Sequence, residues 1–144
     1  MGKTSFNGPV YGAKSLIWQG NYNSTIALST SAATTFSKCR VPAYETWLVT
    51  ELQVYRGSTH STTTVVALLD DSTVVANVAI TSSLAGSIGS TTPTPTPGEY
   101  EGVEVAANST LALTLQEGTS SIAGQDLTAS VYGYIRFLSS TRAE

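Results

Sequence analysis

The chain has 144 residues, which points to one domain with room for a real core. Charged residues make up 12% of it, about half the usual share, and serine and threonine serve as the polar filler. The formal net charge of −3 gives no basic footprint, so nucleic acid is not expected as a partner.

Cys39 is the only cysteine, which excludes an internal disulfide and a thiolate metal cluster, and it reads as a small buried hydrophobe. The N-terminus MGKTSF lacks an apolar signal segment. No apolar run reaches the roughly 18 residues of a spanning helix, so no membrane partner is expected. Synthesis in a cytoplasm is the resulting expectation.

In chain order, residues 1–14 read as an extended N-terminal arm, with glycines at 2, 8 and 12 and Pro9. Phe6, Val10 and Tyr11 are apolar anchors spaced along it. It is either a loose terminus or a docking arm whose aromatics need a partner groove. Residues 15–144 form the single folded domain.

Strands are expected at 15–19 and 25–29, separated by a turn at Gly20-Asn21, and at 35–40. Pro42 marks a corner. Residues 44–56 (YETWLVTELQVYR) form a long strand, with Leu48, Leu52 and Val54 on one face and Trp47, Val49 and Tyr55 on the other. The clearest hairpin is 64–70 with 73–80, turning at Asp70-Asp71-Ser72.

Residues 81–102 form a long Thr/Pro-rich loop, whose Thr-Pro repeat at 92–97 favours polyproline II. Short strands follow at 103–105 and 110–116. The closing strand, 126–138, places Leu127, Ala129, Val131, Ile135 and Phe137 on a core face. Its other face carries Tyr132, Tyr134 and Arg136, residue types enriched at protein interfaces, so this row is the candidate subunit interface.

About eight strands with no ordinary helix predict an all-β protein, an antiparallel β-sandwich of jelly-roll type. An immunoglobulin-like sandwich is the alternative.

Catalytic signatures are missing. His60 sits among serines and threonines with no orienting group in its spacing, and reads as a solvent-exposed loop histidine. Asp70 and Asp71 read as a turn, and Glu99, Glu101 and Glu104 as solvated. No catalytic, cofactor or metal site is expected, and the chain is read as not an enzyme. Exposed aromatics in the loops could stack on sugar rings, which makes the loops holding His60 and Tyr100 a candidate ligand site.

Several stretches resemble small jelly-roll decoration or cement proteins, and head fibres, of tailed bacteriophages. They are SFNGPVYGAK (5–14), VPAYETWLVTELQVY (41–55), NSTLALTL (108–115) and AGQDLTASVYGYIRF (123–137), roughly half the chain. The resemblance implies a homotrimer on the outer capsid surface of a virion, clamping subunits of the major capsid protein. Phe6, Pro9, Val10 and Tyr11 would be the capsid-docking arm. The alternative is a receptor- or carbohydrate-binding head of a viral fibre, or a lectin-like module.

Overall fold

The computed structural model describes residues 14–118 and 123–137. The docking-arm residues Phe6, Pro9, Val10 and Tyr11 lie outside the described residues. Nine strands are described: β1 (Ser15–Ser24), β2 (Thr34–Arg40), β3 (Glu45–Arg56), β4 (Thr64–Asp70), β5 (Thr73–Ile80), β6 (Ile88–Thr91), β7 (Val103–Val105), β8 (Thr110–Glu117) and β9 (Gln125–Phe137). No helix interrupts them.

All ladders are antiparallel and build two sheets. The first, sheet I, has the order β1–β9–β3–β6, with β7 also on β3; the second, sheet II, runs β2–β8–β4–β5. β6 pairs with Leu52–Tyr55 and β7 with Trp47–Val49, so both lie end to end along β3. Counted as two halves of one broken strand, they give the eight-strand order 1-8-3-6 facing 2-7-4-5. That is a jelly roll, and it answers the immunoglobulin-like alternative.

Leu52, Val54, Val66, Leu68, Leu111, Leu113, Leu127 and Val131 fill the space between the sheets with no exposed surface. Each such side chain contributes about 1.5–3 kcal/mol relative to exposure. Period-two alternation brings them together because one face of every strand must leave water.

Where the two sheets come close at the corners, side chains do not fit. A Cβ on Gly20 of β1 would stand 2.7 Å from the Ser37 Cβ of β2. One on Gly89 of β6 would stand 2.8 Å from Val78 of β5. Gly20 is therefore not the expected turn. β1 runs straight through it, and residues 25–29 are not a strand.

The face assignment of β3 needs a second correction. Its register with β9 shifts between Val49 and Glu51, a β-bulge. One extra residue inverts the side chains beyond it. Trp47 and Val49 therefore point into the core with Leu52 and Val54, while Leu48 falls outside that cluster. Gly133 sits opposite Val49 at the bulge, and a Cβ there would lie 1.9 Å from the Leu48 carbonyl oxygen. Only glycine lets the two backbones approach so closely.

β9 is an interior strand of its sheet, flanked by β1 and β3. Leu127, Ala129 and Val131 are buried as expected, but Ile135 and Phe137 are exposed. The core ends near Gly133, and the last turns of alternation run beyond it.

Candidate functional site

Two constellations of polar side chains stand out. The first occupies one end of the sandwich, where inner-face positions change from apolar to polar. Arg56 continues the Leu52–Val54 row, Glu117 the Leu111–Leu115 row, Thr64 precedes Val66, and Gln125 precedes Leu127. All four are buried, with His60 and Thr62 from the connecting loop.

His60 Nε2 lies 2.8 Å from Glu117 Oε2. Gln125 Nε2 donates to Glu117 Oε1 at 2.8 Å and to Thr64 Oγ1 at 2.6 Å. The Arg56 guanidinium donates to the carbonyls of His60, Thr62 and Ile80 at 3.3–3.5 Å. Burial pulls the Arg56 pKa down, and the Glu117 charge partly restores it.

Arg56 and Gln125 come from one sheet and Thr64 and Glu117 from the other, so the network bolts the sheets together. His60 is thus a buried, paired residue and not the expected exposed one. As a member of the candidate ligand loop it presents no free face to solvent. Tyr100, its companion in that expectation, is 93% exposed. The structure does not bring the two together.

The second constellation covers the outer face of β3 and β9. Residues 92–102 leave the β3 edge between β6 and β7 and fold back, with the Thr96 N–H donating to the Gly102 carbonyl at 3.0 Å. Glu99 N–H closes a turn on the Thr96 carbonyl at 2.8 Å, and Glu104 N–H donates to Thr96 Oγ1 at 2.9 Å. Gly102 lies flat on Leu48 and the Val49 backbone, and Leu48 keeps only 1% of its surface exposed.

The end of this loop meets the tyrosine–arginine row. Arg136 Nη1 donates to Glu99 Oε2 at 3.0 Å, and its Nη2 pairs with Glu99 Oε1 in a two-pronged bond. Glu104 stands 4.0 Å from the same guanidinium. Tyr134 Oη donates to Glu101 at 3.5 Å. Tyr132 is half-buried in the same row. Tyr134 and Arg136, expected to face another subunit, are engaged within their own chain. Glu99 and Glu101, expected to be solvated, are their partners.

Cys39 is half-buried against the core, and burial pushes its pKa up to about 11, so the thiolate is scarce near neutrality. Among the described residues no group of three or more His, Cys, Asp and Glu is placed to hold a metal ion. No helix of the described residues is long and apolar enough to cross a membrane.

The inter-sheet bolt had a signal in the sequence. Extending the period-two alternation of 52–54 by one step and of 111–115 by one step turns Arg56 and Glu117 inward, as opposite charges. The pairing of Arg136 with Glu99 had none, because it depends on how residues 92–102 fold.

No family model matches the chain, and no curated protein matches it in sequence. In structure it is similar to part of a serine protease of Aeromonas sobria, at 11% identity and a TM-score of 0.47. That match covers 89% of this chain and 28% of the protease. It is similar to a chain of the cyanophage Pam1 capsid asymmetric unit, at 14% identity and a TM-score of 0.48, covering 94% of each. A third likeness, to a structure of infectious bursal disease virus Gt strain, has 12% identity and a TM-score of 0.32, covering 81% of this chain and 32% of that one.

The protease match corrects the reading of the chain as not an enzyme, and that exclusion does not stand. At these identities and TM-scores the likenesses assign no role to any residue here.

Proposed function

We propose that the chain is a structural protein of a virion, a decoration or cement protein that docks on the major capsid protein. Jelly rolls serve in viral capsids and in lectin domains, so the architecture alone does not choose. The observation that carries the reading is an apolar rim beside the point where the N-terminal arm leaves the domain. Ser15 pairs with Gly133 of β9, so the chain before it starts next to Tyr134. On the neighbouring positions Ile135 and Phe137 are exposed, opposite Trp47 and Glu45, and Tyr44 beside them is exposed as well. The rim of Tyr44, Ile135 and Phe137 offers an apolar docking surface at one end of sheet I, and Phe6, Val10 and Tyr11 in the sequence before it supply further apolar groups for the same partner.

The test is co-sedimentation with purified heads of the virus that encodes the chain. Deleting residues 1–14 is expected to abolish occupancy while leaving the far-ultraviolet circular dichroism of the domain unchanged. Unchanged occupancy by the truncated chain rejects the arm.

A second reading, a receptor- or carbohydrate-binding head, is favoured by the exposure of Tyr100 at the crest of the acidic loop. Saturable binding on a glycan array that is lost in Tyr100→Ala supports it, and a blank array removes it.

A further inference from the structure

The loop 92–102 covers the Leu48–Tyr134 row on the outer face of sheet I and leaves the rest of that face open. Three further rows of side chains cross the strands there. The first is Leu16–Tyr132–Glu51. The second is Gln19–Ser130–Gln53–Ser90, and the third is Asn21–Thr128–Tyr55–Ile88. Leu16, Gln19, Asn21, Tyr55 and Ile88 are exposed, and Gln53 and Tyr132 are half-buried.

The middle row is amide and hydroxyl throughout, and the rows on either side carry the tyrosines with Leu16 and Ile88. A protein–protein contact has the reverse order, an apolar centre inside a polar rim. A flat apolar partner would strip the middle row of water and leave its polar groups unpaired, at a cost for each. The occupant that fits supplies hydroxyls in the middle and an apolar surface at both ends. A sugar chain has that make-up. The C–H faces of its rings stack on aromatic rings, and its neighbouring hydroxyls offer a donor and an acceptor to one side-chain amide.

The amides are already held in place. Gln19 Nε2 donates to Ser130 Oγ at 2.9 Å, and Thr128 Oγ1 donates to Asn21 Oδ1 at 2.7 Å. Each bond engages one end of the amide, so Gln19 Oε1 and Asn21 Nδ2 are left to meet a ligand. Side chains ordered beforehand lose little freedom on binding. Tyr132 and Tyr55 stand two rows apart, about 13 Å along the strands, which is the reach of a short oligosaccharide and not of one ring. The charges at this face are acidic, Glu51 in the first row and Asp126, opposite Asn23, beyond the third. A carboxylate accepts hydrogen bonds from sugar hydroxyls and repels an anionic sugar.

We propose that this face binds a neutral oligosaccharide lying along the strands, between Tyr132 and Tyr55 and over Gln19, Asn21 and Gln53. The site is separate from Tyr100, and the inference does not rest on the virion role.

The test is a titration of the full chain with soluble neutral gluco-, manno- and galacto-oligosaccharides, read on the side-chain amide signals of Gln19, Asn21 and Gln53 in proton–nitrogen NMR spectra. At least one series should move all three signals saturably, with a dissociation constant of about 1 mM or tighter. Tyr55→Ala, at an exposed position, should weaken that binding about tenfold with unchanged circular dichroism. Gln53→Ala should act in the same direction, and Tyr100→Ala should leave the affinity unchanged. Oligogalacturonate, an anionic chain, should bind more weakly than the neutral series.

Amide signals that move with none of the three series overturn the proposal. So does binding that survives both Tyr55→Ala and Gln53→Ala, or that Tyr100→Ala abolishes, which would assign the sugar to the acidic loop. Tighter binding of oligogalacturonate overturns the neutral class. Loss of binding to viral heads in Tyr55→Ala, without any response to sugar, overturns the proposal and assigns the face to a capsid protein.

Discussion

The two outer faces of the sandwich solve one problem in opposite ways. Each sheet has a second face that must meet either water or protein. On sheet I the chain covers part of that face itself, while Leu16 and Tyr55 on it stay exposed. Residues 92–102 lie over Leu48, and the acidic end of the loop holds Tyr134 and Arg136. On sheet II the outer rows carry almost no charge apart from Lys38 and Arg40 on the edge strand β2. A face built from tyrosine and arginine can be satisfied internally. A face built from alanine, valine and threonine carries few charged groups that need an ion-pair partner.

The comparison can be broken most severely where the two sheets are tied together. Glu117→Ala strips the buried Arg56 and His60 of their carboxylate. Removing one partner of a buried charge network costs about 3–5 kcal/mol. Urea denaturation should show that loss, and a cost under about 1 kcal/mol would mean the network is not a bolt.

Gly133→Ala strikes sheet I alone. Its methyl group would meet the Leu48 carbonyl, so about 3 kcal/mol or more should be lost, in the upper range for overpacking. By contrast Ala67→Thr, on the bare face of sheet II, should stay within about 0.5 kcal/mol. Equal costs at the two positions would erase the distinction between a self-covered and an open face.

Arg136→Ala releases the end of the acidic loop. The pair with Glu99 is partly exposed, so about 1 kcal/mol is expected rather than the value of a buried pair. Hydrogen exchange at the Glu99 and Glu104 amides should rise, because each donates to Thr96 within the folded-back loop.

The smallest effect belongs to the turn at the edge of sheet II. Burial, and then the neighbouring Asp71 charge, raise the Asp70 pKa above its ordinary 3.8, against a lowering hydrogen bond from Ser109. The folded state therefore binds its proton more tightly than the unfolded state, and stability falls as pH rises through that window. Asp70→Asn should raise the thermal midpoint slightly at pH 7, and the gain should vanish below pH 3.8. A gain that persists in acid would contradict this origin.

Much of the architecture was legible in the residues. Alternation marked β8 and most of β9 because half-buried strands impose a period of two, and the turn between β4 and β5 marked that hairpin. The tight turn at Asp70-Asp71-Ser72 was equally plain, and Asp71 does adopt a left-handed backbone with φ of 57°. β6 was hidden inside the Thr/Pro stretch, since four residues of Ile, Gly, Ser and Thr show no pattern.

The sequence by itself determined the class of the fold, the strand-rich core and the weakly charged surface, because these follow from local periodicity and composition. Only the tertiary structure decided which face each residue occupies. The bulge opposite Gly133 shifts β3 by one position, and a one-residue shift moves every later side chain across the sheet. It also decided the partners of His60, Tyr134 and Arg136. Glu117 lies 57 residues from His60, and Glu99 lies 37 from Arg136. Pairings at such separations depend on the folded path of the chain and leave no trace in spacing.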